Sequence, residues 1–200
     1  EGDDYWTDDE KLEKQVKFLD SHPEVVMCFS DVLRVDEQGN YTKDKEVVSD
    51  FPQTILPEKK IMKGWWTPTL SVCVRTKPLV EVVNKMDDDQ FVLNLDWVTF
   101  SLLEEYGRVG YVKTKPSSYR QHEGGIFSSH SVKNKFEQSL NSTRYLRRRV
   151  KPENQKHLDH AELSGYNVYL YQLLGRNWYG RFLCTEAGLV FKLIGKLRPA

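Results

Sequence analysis

Apolar residues Leu12, Val16 and Leu19, joined by Phe18 and Gln15, recur at helical spacing and predict a helix over residues 8–21. Thr7-Asp8-Asp9-Glu10 reads as a capping box in which Thr7 closes the helix start, and His22-Pro23 ends it. Residues 25–35 are dense in β-branched and apolar side chains and predict a buried strand, closed by a hairpin turn at Asp36-Glu37-Gln38-Gly39-Asn40. The stretch 41–57 is polar and broken by Pro52 and Pro57, as a surface loop or an irregular hairpin would be. A short helix is expected over 58–63. Alternation of Leu70, Val72 and Val74 with Ser71, Cys73 and Arg75 predicts a second strand over 68–76, followed by a helix over 78–86.

An apolar run from Phe91 leads through Leu95-Asp96-Trp97 into a helix ending near Tyr106, with Leu102, Leu103 and Tyr106 on one face and Gly107 as its stop. Residues 108–119 read as a strand pair or one bent strand, and 120–129 as a glycine-containing loop. Beyond Ser131 the pattern becomes helical over 132–150, 153–175 and 177–196, with Pro152 between the first two. No repeat of fixed period is visible.

Composition narrows the classes. The chain has 200 residues, 39% apolar and 29% charged, enough for one core and unlike a disordered segment. Lys plus Arg equals Asp plus Glu at 29 each, so no overall basic field exists to hold a nucleic acid. Cys28, Cys73 and Cys184 are odd in number and set among apolar residues, which fits reduced thiols in a cytosolic protein. The longest uncharged run, 163–175, is too short and too polar to span a bilayer. The first residue is not Met and an acidic motif stands at the chain's edge, so a fragment of a longer protein is expected.

Three stretches carry candidate chemistry. Glu1, Asp3 and Asp4 crowd around Gly2 ahead of Tyr5 and Trp6; carboxylates this close repel unless a cation lies among them, and oxygen ligands favour Mg²⁺ or Mn²⁺. An acidic helix N-terminus accounts for Asp8, Asp9 and Glu10 but not for Gly2 or the aromatic pair. Asp96 stands at the entrance of an apolar helix, either as a cap or as a carboxylate facing a cleft with tuned basicity. His122 precedes Gly124 and Gly125, which permit close backbone approach to a ligand, and imidazole is a common metal ligand. A fourth group, Arg144, Arg147, Arg148, Arg149 and Lys151, reads as a solvated helix face or a contact for lipid phosphates.

In their order and spacing, EGDDYWTDDEKLEKQVKFL, NLDWVTFSLLEEYGRVGYV and YRQHEGGIFSS resemble the later half of a family 2 glycosyltransferase of the GT-A fold. The resemblance covers about the first two thirds of the chain. It implies an α/β fold in which 1–130 form the acceptor-side half of a Rossmann-like domain with a mixed sheet, and 131–200 a helical extension. It also implies transfer of a sugar from a nucleotide-diphosphate donor to an acceptor hydroxyl, with inversion and with Mn²⁺ or Mg²⁺. Asp3, Glu1 and His122 then take the metal, Glu1 departing from the commoner Asp. Asp96 takes the place of the base, with the usual acidic pair reduced to Leu95-Asp96, and 67–71 fall where the acceptor-side loop lies. Asp4, Trp6, Trp97 and Arg120 are the candidate substrate contacts. The implied partners are a nucleotide sugar and a glycan or lipid-linked acceptor, in the cytoplasm with peripheral membrane contact. Without the nucleoside-binding strands, the sheet is expected to keep an unpaired edge and the chain alone to be catalytically silent. A non-catalytic scaffold that keeps this fold is the main alternative, and a metal-dependent phosphohydrolase a third.

Overall fold

The computed structural model describes residues 2–48, 51–65, 67–86, 94–122 and 130–174. Glu1, the aspartates at 87–89, the Gly124-Gly125 pair, Cys184 and the helix expected over 177–196 lie outside the described residues.

The organising element is strand β1, Val25–Val35. Val25, Met27, Cys28, Phe29, Val32 and Val35 are all fully buried, as expected of an apolar strand covered on both faces. One edge of β1 pairs in parallel with β4, Arg108–Arg120, along its whole length. Its other edge is shared by two antiparallel partners, the two-residue β3, Cys73–Val74, near its start and β2, Tyr41–Val48, near its end. The chain is therefore a mixed α/β protein, and Tyr41–Val48 of the 41–57 stretch takes the form of an irregular hairpin with β1.

Helix α1, Lys11–Ser21, covers one face of the sheet, where Leu19 and Phe18 meet Val25 and Cys28. The other face meets α2, Thr76–Val83, α3, Leu95–Leu103, and the pair α4, Val132–Arg147, and α5, Gln155–Leu174. Phe29, Trp97, Leu103, Tyr145, Leu146 and Leu158 belong to one core, so the C-terminal helices share the sheet's apolar interior. Burying each such side chain is worth about 1.5–3 kcal/mol before conformational entropy is subtracted.

Several expectations change. Helix α1 begins at Lys11 rather than Asp8, and Thr7 does not cap it: the Thr7 hydroxyl donates to the Pro116 carbonyl, while Asp8 Oδ1 accepts from the Glu10 N–H. Its buried side is Lys11, Gln15 and Leu19, whereas Leu12 and Val16 are exposed. The 58–63 segment is a succession of turns because the buried Glu104 carboxylate accepts from the N–H groups of Ile61 and Met62, diverting them from helical partners. The strand expected over 68–76 shrinks to β3 after a 3₁₀ turn at Thr69–Ser71, since Gln15 Nε2 captures the Ser71 carbonyl at 2.8 Å. Helix α2 starts at Thr76, which puts Pro78 in its first turn, where a missing N–H costs nothing.

The outer edge of β4 is not bare. Ile55 bridges Gly110 and Tyr5 bridges Ser118, both antiparallel, so short segments cover each half of the strand expected to be open.

Candidate functional site

A bulge in β4 sets up the site. Ser30 of β1 pairs with Val112, but Val32 pairs with Ser117, so the intervening β4 residues loop out of register. Two buried carboxylates satisfy the exposed backbone there: Asp31 Oδ2 accepts from Thr114 N and Asp8 Oδ2 from Lys115 N at 2.9 Å. The next residue, Pro116, has no N–H to satisfy. Asp31 is further held by the Tyr111 hydroxyl at 2.6 Å. These bonds fix the C-terminal half of β4, and with it Arg120 and His122.

The N-terminal segment runs back along that half. Tyr5 and Ser118 exchange backbone hydrogen bonds of 3.2 and 2.8 Å, which places Asp3 and Asp4 beside the end of β4. Asp4 Oδ1 accepts from Arg120 N at 2.9 Å, Arg120 Nε donates to the Asp3 carbonyl at 3.0 Å, and His122 Nε2 lies 3.0 Å from Asp3 Oδ2. The hydrogen bond to His122 is the main reason the Asp3 carboxyl is held below its usual range. Burial, only partly offset by the Arg120 N–H, pushes the neighbouring Asp4 upward. Two adjacent carboxylates are thus shifted in opposite directions.

Asp3 offers an oxygen donor and His122 a nitrogen donor, and their side chains are 39% and 33% exposed, so the pair could hold a divalent cation whose remaining ligands came from water or substrate oxygens. Among the described residues no group of three or more His, Cys, Asp or Glu side chains converges as a ready-made metal cage.

The remaining candidates separate. Trp6 is 51% exposed, its Nε1 donates to the Leu70 carbonyl at 2.9 Å, and the Lys11 ammonium sits 4.4 Å from its ring centroid. This open indole adjoins the turn that the resemblance assigns to the acceptor. Arg120, in contrast, spends its guanidinium on the carbonyls of Asp3, Asp36 and Glu37 and faces the Tyr5 ring, so it clamps the segment instead of reaching outward. Trp97 must be corrected outright: it is buried in the core with Nε1 bonded to the Ile61 carbonyl at 2.8 Å, and offers no face to a sugar. Asp96 lies in the first turn of α3, half-buried, with Oδ1 accepting from the Trp97 N–H. It therefore belongs to the layer on the opposite side of the sheet from α1.

In the C-terminal helices, Arg147 binds Asp159 and Glu162 of α5 at 2.6 and 2.8 Å, and Arg149 stacks on Tyr145. Those two cations serve the helix pair; Arg144, Arg148 and Lys151 are the exposed members of the basic group, with Lys151 Nζ 3.9 Å from Glu105. Among the described residues no helix is long and apolar enough to cross a membrane.

The positioning residues Asp8, Asp31, Lys11 and Glu104 escaped sequence reasoning. Pro116 inside an expected strand was the one available signal of a bulge.

No family model matches the chain. It is similar to uncharacterized proteins of Mycobacterium bovis and of two strains of Mycobacterium tuberculosis, 34% identical over 137 residues in each case. The matched region covers 68% of this chain and 38% of each relative, so the chain spans well under half of their length.

Proposed function

We propose that the chain is the acceptor-side part of a GT-A glycosyltransferase that moves a sugar from a nucleotide-diphosphate donor to an acceptor hydroxyl. The observation that carries this is the meeting of Asp3 with His122, the two ends of a motif order that resembles the family, beside one partly exposed surface. A Mn²⁺ or Mg²⁺ ion held there would neutralise charge developing on a leaving diphosphate. Asp3 and His122 hold that end of the site, and Arg120 with Asp4 fixes the segment that carries Asp3. Asp96, at the entrance of α3, accepts the proton of the acceptor hydroxyl as its oxygen attacks the anomeric carbon. A single displacement of this kind inverts the configuration. Trp6 supplies an apolar face for a sugar ring. The proposed setting is the cytoplasm, with any peripheral membrane contact resting on Arg144 and Arg148.

The test is saturation-transfer NMR of the complete protein that contains this chain, with a panel of nucleotide sugars in the presence of Mg²⁺. Metal-dependent saturation of the donor's sugar protons, lost in Asp3→Ala, is the expected result. Absence of saturation from every nucleotide sugar contradicts the proposal.

A further inference from the structure

A second cavity, separate from the Asp3–His122 group, opens where the turn over 58–64 meets α5. It has a volume of about 410 Å³ and is lined by Lys60, Lys63, Gly64, Trp65, His160 and Ser164. Its construction is tight. Gly64 adopts φ +95°, and a Cβ there would lie 3.1 Å from Ala161 Cα, so the turn touches the helix backbone directly, beside the cavity that Lys60, Lys63 and His160 line.

The charge on its walls is of one sign. Helix α5 sends Asp159 and Glu162 to Arg147 of α4, which leaves the wall facing the turn to His160 and Ser164. Burial first, and then the charges of Lys63, Lys156, Lys59 and His160, hold the neighbouring His157 imidazole below its usual value. Among the described residues neither Lys60 nor Lys63 pairs with a carboxylate; Lys63 Nζ reaches only the Glu58 carbonyl, at 3.1 Å. Clustered cations without counter-charge repel one another and favour an anion that joins them. The remaining wall is Trp65, half-buried, its indole backed by Phe29 and Phe51 at 5.0 and 5.6 Å. A fixed aromatic wall beside a cationic corner matches a ligand with an apolar sugar face and an attached phosphate.

We propose that this pocket binds a sugar phosphate, with Lys60, Lys63 and His160 taking the phosphate and Trp65 lying against the sugar ring. The binding claim stands on the pocket alone and does not depend on sugar transfer. Trp97, which directly follows Asp96, bonds through its indole to the Ile61 carbonyl within the same turn.

Calorimetric titration of the 200-residue chain with glucose 1-phosphate, free glucose and inorganic phosphate tests it. Glucose 1-phosphate is expected to bind more tightly than either of the others, with affinity that falls as salt rises. Lys60→Gln/Lys63→Gln should weaken it at least about tenfold with little change in Tm, because both lysines are half-exposed, while Lys133→Gln on α4 leaves it unchanged. Trp65→Phe should reduce the preference for glucose 1-phosphate over inorganic phosphate. A parallel flotation assay uses phosphatidylcholine vesicles containing phosphatidylglycerol. If the chain floats with them through Lys60 and Lys63 but does not bind glucose 1-phosphate, the anion is a lipid headgroup and the proposal is overturned. Equal affinity in the double-lysine variant, or no binding of glucose 1-phosphate at millimolar concentration, overturns it as well.

Discussion

His122 Nε2 sits 3.0 Å from Asp3 Oδ2, joining residues 119 positions apart in the chain. Because the Asp3 carboxyl is held below its ordinary 3.8 chiefly by His122, the contact's contribution is fully present above that pH and is lost as pH falls through the lower folded value. Carboxyl NMR titration should find the Asp3 midpoint below 3.8, and His122→Ala should move it back up. An unchanged midpoint in that variant means that the imidazole does not tune the carboxylate.

Asp8 gives a stronger acid signature. Hydrogen bonds from Lys115 N–H and Lys14, with the Lys115 bond first, bring its carboxyl from 3.8 down to about 2. Its stabilisation is present above the unfolded value and disappears as pH falls toward the folded one. Asp8→Ala should therefore lower Tm at neutral pH and flatten the loss of stability between pH 4 and 2. Because the β4 bulge rests on Asp8, the same variant should broaden the amide signals of Arg120 and His122. A sharp, unmoved Arg120 signal would separate the bulge from the site.

Glu104 behaves oppositely. Burial raises its carboxyl from 4.5 to about 7 despite the Met62 and Ile61 N–H groups. A raised folded value means that the protonated form is favoured in the native state, so this contribution is full below pH 4.5 and is lost as pH rises through 7. The change amounts to about 3 kcal/mol. Thermal unfolding should show Tm falling from pH 5 to 7.5, and Glu104→Gln should remove most of that slope.

Asp96→Asn separates a base from a carboxylate that only favours the start of α3 through its charge. Asn keeps the shape and hydrogen bonding of the first turn of α3 but cannot take a proton. In any preparation that transfers sugar, turnover should drop by about 10²–10⁴ with Tm and donor affinity nearly unchanged. The acidic limb of the pH profile should vanish with it. A lowered Tm with turnover intact identifies Asp96 as a first-turn carboxylate whose charge only favours the start of α3.

Much of the frame was legible in the sequence, and the reasons for the rest are physical. The apolar run of β1 and the periodicity of α4 are local signals and appear as expected. The face of α1 was misjudged because Lys11 and Gln15 are buried for their hydrogen bonds, Lys11 Nζ to Gln15 Oε1 and Gln15 Nε2 to Ser71, while Leu12 and Val16 stay outside. The 58–63 turn depends on Glu104, more than forty residues away, and no window of sequence contains both. Asp3, His122 and Asp96 stood out because carboxylates and imidazoles beside glycine or helix entrances are chemically unusual. Asp31 did not, since its task exists only once the bulge between β1 and β4 has formed. Trp97 was misplaced because an indole next to a candidate base looks the same in sequence whether it faces a ligand or the core.

The central claim is that Asp3 and His122 form the cation end of the proposed site and that Asp96 is not among the cation's ligands. Electron paramagnetic resonance of Mn²⁺ titrated into the chain with a nucleoside diphosphate tests this most directly. Loss of the free-ion signal is expected with one equivalent bound, abolished in Asp3→Ala and in His122→Ala and retained in Asp96→Asn. Mn²⁺ binding that survives unchanged in Asp3→Ala contradicts it.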